Sequence, residues 1–253
     1  MEKNLEGQVA IVTGGGRDIG RYCSIRLAER GASVVVNYNS SRDAAEETVR
    51  MIEEADGTAI SVQADVTDES QVQQLVNTAR EEYGDDIHVL VNNAGGLVDR
   101  VHVSEMDSDF WDKVINLNLR SAFLVTRAVI DHMPDEGAIV NLSSLAARNG
   151  GGYGSLAYAT SKGGILTFTR GLAKELSDRK IRVNAVSPGL IDTTFHDTHT
   201  SDEKRKSIVE SGILLGREGT PDDIGKLVAF LASDEASFIN GESVEINGGA
   251  YFV

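Results

Sequence analysis

The chain has 253 residues, 41% of them apolar and 25% charged, the balance of a globular protein that can bury a core without disulfides or metals. A formal charge of -15 argues against nucleic acid and anionic membrane as partners, and the lone cysteine, Cys23, excludes an intramolecular disulfide and a thiolate metal cluster. No apolar run approaches the roughly 20 residues of a membrane span. Residues 1–8 are too polar for a signal peptide, so cytoplasmic residence is expected.

Short runs rich in Val and Ile alternate with amphipathic stretches along the chain. Strands are predicted over 9–13, 33–37, 59–63, 89–92, 138–142, 182–186 and 243–246. Helices are predicted after the first strand and over 44–55, 70–83, 109–132 and 157–178. A further helix opens at Thr220-Pro221-Asp222-Asp223, where Thr caps, Pro takes the first helical position and acids fill the first turn. Several strands are apolar on both faces, as strands covered on both sides of a parallel sheet are. The alternation predicts an α/β fold: one doubly wound parallel sheet of about seven strands with helices on both faces, a single domain over 1–253.

The turn after the first strand reads Thr13-Gly14-Gly15-Gly16-Arg17-Asp18-Ile19-Gly20. Glycines let backbone approach a pyrophosphate, and a helix N-terminus offers it N–H donors and the positive dipole end. Alone, such a loop is also read as a tight turn. Later come Asp65-Val66 after the third strand, Asn92-Asn93-Ala94-Gly95 at the end of the fourth, Asn118 in the long helix and the pair Ser143-Ser144. Tyr158 and Lys162, four apart, share a helix face. An ammonium beside a phenol favours phenolate and lowers its pKa from about 10, which suits Tyr158 to passing a proton. Then follow Ser187-Pro188-Gly189-Leu190-Ile191 with Thr193, and Ile246-Asn247-Gly248-Gly249.

In this order and spacing the motifs resemble, over essentially the whole chain, the short-chain dehydrogenase/reductase family. The glycine loop is similar to the family's Thr-Gly-x-x-x-Gly-x-Gly fingerprint. The resemblance implies a Rossmann-like fold and reversible hydride transfer between a nicotinamide dinucleotide and a carbonyl or alcohol. It implies a catalytic set of Asn118, Ser144, Tyr158 and Lys162, with Ser144 preferred to Ser143 because the family's serine takes the second position of the pair. It further implies cofactor contacts from Gly14, Gly16, Ile19 and Gly20, from Asp65 and Val66 at the adenine, from Asn92, Ala94 and Gly95, from Tyr158 and Lys162 at the ribose, and from Pro188, Gly189, Ile191 and Thr193 at the nicotinamide. A homotetramer built through the two long helices is implied as well. Asp18 stands where the fingerprint has its middle glycine, and its carboxylate is expected to turn away from the phosphates and cap the helix.

The second strand runs into Val36-Asn37-Tyr38-Asn39-Ser40-Ser41-Arg42, without the acid that holds ribose hydroxyls in NAD-preferring members. NADP(H) is therefore expected, with Arg17, Ser40, Ser41 and Arg42 around a 2′-phosphate and Asn37 among the cofactor residues. A substrate lid is expected around 190–217. Its Thr193-Thr194-Phe195-His196-Asp197-Thr198-His199 is polar, and Arg148, Tyr153 and His196 are the expected substrate residues. The two lid histidines lack a third ligand, so no metal is expected. The chain's ending resembles that of 3-oxoacyl-(acyl-carrier-protein) reductases, whereas the lid resembles that of reductases acting on keto uronates from alginate. Asp131-His132-Met133-Pro134-Asp135-Glu136-Gly137 is acidic and would repel an acidic carrier, which favours a small polar carbonyl. A catalytically silent NADP-binding sensor is the alternative of another class, and NADPH oxidation with any activated carbonyl separates the two.

Overall fold

The structure, a computed structural model, describes residues 4–194 and 200–253. Strands β1 (Val9–Val12), β2 (Ser33–Tyr38), β3 (Thr58–Gln63), β4 (Val89–Asn92), β5 (Ala138–Leu142), β6 (Arg182–Pro188) and β7 (Ser243–Ile246) form one sheet. Every pairing is parallel, in the order β3-β2-β1-β4-β5-β6-β7. The predicted strands lie within two residues of these bounds. Helices α1 (Asp18–Glu29), α2 (Arg42–Glu53), α3 (Glu69–Tyr83), α4 (Ser108–Ile115), α5 (Ser121–Val129), α6 (Ala146–Asn149), α7 (Leu156–Glu175), α8 (Asp202–Gly212) and α9 (Pro221–Ala232) connect them.

Side chains of a strand point alternately to its two faces. In β1, Ala10 and Val12 join a core with Val34, Leu27 of α1, Ile52 of α2 and Val228 of α9. Ile11, between them, joins a second core with Val35, Leu75 of α3, Val129 of α5 and Ala173 of α7. Both faces of the sheet are thus covered, which is why its strands are continuous apolar runs rather than alternating ones. Cys23 is buried in the first core, and burial pushes its thiol up to about 12, so it is a packing residue.

The helix expected over 109–132 is interrupted. After α4, a π-helical turn spans Asn116–Arg120, then α5 follows, and a 3₁₀ turn over Ile130–His132 ends it. Such a wide turn is frequent at functional positions, and this one carries Asn118. The predicted cap of α9 is a full capping box: Thr220 Oγ1 accepts from Asp223 N (3.2 Å), and the Asp223 carboxylate accepts from Thr220 N (2.8 Å). α6 and α8 were not expected. α6 is one turn long, and α8 has no buried residue, so neither leaves an apolar stripe in the sequence.

Candidate active site

The strand order reverses between β1 and β4, and an open α/β sheet forms its binding crevice there, outside the carboxyl ends of the strands. A cleft of about 660 Å³ lies at this place. Its size is that of a small-molecule or cofactor site. One end is the turn from β1 into α1, with Gly14, Gly16, Arg17, Ile19 and Gly20, together with Ser40 and Ser41 after β2. A Cβ on Gly20 would run into the Gly14 carbonyl oxygen, so only glycine lets this turn fold back on itself. The middle holds Ala94, Gly95, Tyr158 and Lys162, and the far wall holds Pro188, Gly189, Ile191 and Thr193.

Other residues expected at the cofactor stand behind these walls. Asn37 is buried, accepts from Gly14 N through Oδ1 (3.2 Å), and donates to the Ala64 carbonyl (3.0 Å), so it buttresses the glycine loop. Asn92 is buried too and donates to Thr126 Oγ1 (3.0 Å) and Asn141 Oδ1 (2.9 Å), a polar rung between β4, β5 and α5. Asp65 accepts from Thr67 N (2.9 Å) and Thr67 Oγ1 (2.7 Å); neither it nor the buried Val66 lines the cleft. Arg42 is a correction. It pairs with Glu46 one turn along α2 (2.7 Å), its side chain is 72% exposed, and it does not line the cleft. An (i, i+4) partner on its own helix holds it on the solvent face.

Asp18 is a second correction. The residue before α1, Arg17, makes no side-chain capping bond, and Asp18 caps nothing. It adopts φ 48, a left-handed conformation that Asp enters more readily than most residues. Asp18 lines the cleft, and its carboxylate accepts from Thr194 N (3.1 Å) and Thr194 Oγ1 (2.6 Å), joining the glycine loop to the far wall.

At the centre, Tyr158 on α7 is half-buried and hydrogen-bonded to Ser144. Ser144 Oγ also accepts from Ala146 N (3.1 Å), which fixes it at the start of α6. Ser143 is committed elsewhere: buried, it donates to the Lys162 carbonyl (2.9 Å). Lys162 is 4% exposed, donates through Nζ to the Leu142 carbonyl (2.8 Å), and stands 5.8 Å from the Tyr158 ring centroid. Burial draws its ammonium down to about 8. Burial raises the Tyr158 phenol above its ordinary value, and the Ser144 hydrogen bond pulls it partway back. The expected net lowering of Tyr158 is therefore corrected: desolvation outweighs the pull of the Lys162 ammonium, which stands 5.8 Å from the ring centroid and is turned to a backbone carbonyl. Asn118 sits behind Gly95, accepting from Gly96 N (2.9 Å) and donating to the Gly96 and Val114 carbonyls (2.8 and 2.9 Å). It holds the strand-end loop against the π-helical turn.

Of the expected substrate residues, Arg148 is turned away, paired with Glu245 of β7 (3.0 Å), where both side chains are mostly buried. Tyr153 is 77% exposed and stacks on His102, with ring centroids 5.2 Å apart, outside the cleft lining. His196 lies outside the described residues. The cleft is lined further by Gly96, Leu97, Val98 and Arg100 after β4 and by Gly152 and Ser155. Sequence reading passed over the first group. The signal available for it was position: it follows the Asn-Asn-Ala-Gly element at a strand's carboxyl end, beside the switch point.

The family model described as Enoyl-(acyl carrier protein) reductase matches residues 14–251. Versicolorin reductase of Emericella nidulans is 40% identical over 98% of this chain and 97% of its own. A 3-oxoacyl-(acyl-carrier-protein) reductase of Thermotoga maritima is 39% identical over 97% of this chain and 98% of its own. The crystal structure of a short-chain dehydrogenase from Burkholderia cenocepacia in complex with NADP superposes with a TM-score of 0.91, at 35% identity, over 98% of this chain and 99% of that one. With a parallel seven-stranded sheet, a glycine-rich first turn and these relatives along its whole length, the chain belongs to the short-chain dehydrogenase/reductase family of oxidoreductases.

Proposed function

We propose that this protein is an NADPH-dependent carbonyl reductase whose proton donor is Tyr158 and whose substrate is a small polar carbonyl compound, such as a sugar-derived 2-keto acid. The observation that carries the reading is the Ser144–Tyr158 hydrogen bond inside the cleft, one helical turn from a buried Lys162. The residues present fit a dinucleotide. The glycine loop offers backbone at the α1 N-terminus, and no acid stands between Asn37 and Arg42 at the end of β2. The solved relative from Burkholderia cenocepacia holds NADP. When bound, the reduced nicotinamide supplies the hydride. Ser144 and Tyr158 then hold the carbonyl oxygen, and the two hydrogen bonds strengthen as charge gathers on it. Tyr158 gives that oxygen its phenolic proton, which a phenol with an ordinary pKa of about 10 already holds at neutral pH. Lys162 steadies the developing phenolate by its charge, and Asn118 keeps the Gly95–Gly96 backbone against them. Of the lid expected over 190–217, residues 195–199 lie outside the described residues, and Ile191, Thr193 and Thr194 line the cleft.

Arg17 and the hydroxyls of Ser40 and Ser41 are the groups for a 2′-phosphate. Arg17→Ala is expected to raise KM for NADPH about tenfold, which is the loss of one charge-assisted hydrogen bond at a side chain 62% exposed. KM for NADH should stay within about twofold. Equal changes for both cofactors would remove Arg17 from this role.

The acyl-carrier thioester is the second reading, favoured by the Thermotoga maritima relative. The -15 charge and the acidic 131–137 stretch weigh against an acidic carrier. Keto uronates, simple aldoses, acetoacetyl thioesters and a hydroxylated quinone, assayed in parallel with NADPH, decide between them. Turnover of the carrier thioester alone overturns the proposal, and turnover of none of them favours the silent sensor. We further infer a homotetramer, supported by the exposed apolar side chains of Phe123 on α5 and Leu156 on α7. A mass near four chains is expected by light scattering; a monomer refutes it.

A further inference from the structure

α6 is one turn long and has no buried residue, yet it helps to fix Ser144, because Ala146 N donates to Ser144 Oγ (3.1 Å). A turn this short does not sustain itself, and no buried apolar side chain of its own anchors it. Two polar contacts tie it to the sheet. Leu145, just before it, donates its N–H to the Pro188 carbonyl at the end of β6 (2.9 Å). Arg148, its third residue, donates through Nε to Glu245 Oε1 of β7 (3.0 Å). We propose that Arg148, through Glu245, is a positioning residue that sets the Ser144 hydroxyl against the Pro188–Gly189 wall of the cleft. Neither Arg148 nor Glu245 lines the cleft, so their effect on the reaction runs through the serine. The proposal rests on the reductase reading above, in which Ser144 holds the carbonyl oxygen.

The pair is continuous with the strands that carry the nicotinamide wall. Glu245 lies beside Ser187 in the β6–β7 register, and Ser187 directly precedes Pro188. Ser243 Oγ donates to the same Glu245 Oε1 (3.3 Å) and shares a hydrogen bond with the Oγ of the buried Ser187 (2.9 Å). One polar chain therefore runs from α6 through β7 to the foot of Pro188. The side chains of Arg148 and Glu245 are only 20% and 11% exposed. Stability is a poor reason for such a pair, because apolar residues of similar volume hold a fold as well or better. Geometry is a good one. An apolar contact slides at little cost, whereas a charge-assisted hydrogen bond has a preferred distance and direction. A reacting group misplaced by about 1 Å can lose about 10²-fold in rate. Glu245 Oε2 is buried with no hydrogen-bond partner among the described residues, so removing Arg148 alone would strand a buried charge and unsettle the fold.

The test is therefore the double variant Arg148→Met/Glu245→Met, which removes both charges and keeps apolar volume in their place. It is assayed with NADPH and whichever of the keto uronates, aldoses, acetoacetyl thioesters and hydroxylated quinone the wild type reduces. We expect kcat to fall roughly 10- to 100-fold, while the affinity for NADPH by fluorescence titration stays within about twofold. In a Ser144→Ala background the same two substitutions should cost less than about threefold, because the hydroxyl they misplace is already gone. An equal loss in both backgrounds, or a rate within about threefold of wild type when Ser144 is present, overturns the proposal. Glu245→Gln keeps the size and the acceptor, and covers the case in which the double variant folds poorly. It should show a smaller loss of kcat that again vanishes without Ser144 Oγ; no loss, or one that persists, overturns the proposal. Hydrogen exchange over residues 144–149, read by mass spectrometry with NADPH bound, reports the tether without turnover and should quicken in the variants. Unchanged exchange also overturns the proposal. Quickened exchange in a protein whose wild type reduces no carbonyl would instead overturn the reductase reading and leave the tether standing.

Discussion

Tyr158→Phe is expected to lower kcat by about 10²- to 10⁴-fold while the affinity for NADPH stays within about twofold. The substitution keeps the ring, and with it the packing of α7 against the cleft. It removes one hydroxyl, the group that hydrogen-bonds Ser144. With Phe in place Ser144 can still hold a carbonyl oxygen, so ground-state binding survives, but no group at that position can release a proton to it. The loss should therefore appear in kcat and kcat/KM together, with KM little changed, the pattern of an interaction made only in the transition state. Steady-state kinetics and a fluorescence titration with NADPH measure the two quantities. A rate within about threefold of wild type would take the proton-donor role from Tyr158, since general acid catalysis contributes at least about a hundredfold. Parallel loss of NADPH binding would point to a collapsed cleft instead.

The fold was legible because it is written in repeated features. Val9–Val12, Ser33–Tyr38 and Val89–Asn92 are apolar on both faces, and only a sheet covered on both sides explains runs of that kind. The Tyr158–Lys162 spacing and the glycine loop were legible for a similar reason, since each needs residue types at fixed separations. What sequence left hidden depends on how a side chain turns. Arg42 and Arg148 are cations in suitable places along the chain, yet Glu46 and Glu245 hold each of them away from the cleft. The glutamate beside Arg42 was in view at (i, i+4); the one beside Arg148 is 97 residues distant and becomes a neighbour only when β7 joins the sheet. Asp18 is similar: Thr194, the partner that draws it across the cleft, is 176 residues away. Arg100 was passed over because nothing periodic marks the loop after β4.

Lys162→Met is expected to abolish most of the activity and at the same time to stabilise the cofactor-free protein at pH 7. Lys162 is 4% exposed, and no carboxylate is among the causes that set its pKa; burial alone draws the ammonium from 10.5 down to about 8. The folded protein therefore holds this proton less tightly than the unfolded chain does. Below about pH 8 both states carry the charge, and the folded state bears the whole cost of burying it. From about 8 up to 10.5 the folded state sheds the proton first, so wild-type stability gains from this group as pH rises. The gap between the two values corresponds to about 3 kcal/mol. Loss of the hydrogen bond to the Leu142 carbonyl offsets about 1 kcal/mol of that. Met fills nearly the same volume without charge. A net gain of about 2 kcal/mol raises Tm by roughly 4–8 °C in a chain of this size. The advantage of the variant should be full at pH 7 and fade as pH approaches 10.5, which melting curves of both proteins across that range will show. The rate should fall by about 10²-fold or more, because the charge that steadies the Tyr158 phenolate is gone. A variant that melts below wild type at pH 7 would mean that the Leu142 contact outweighs the burial of the charge. A variant that melts higher and turns over normally would mean that the buried ammonium is an unneeded cost. The expected pair of results, a more stable protein that no longer works, is the mark of a charge retained for chemistry at the expense of the fold.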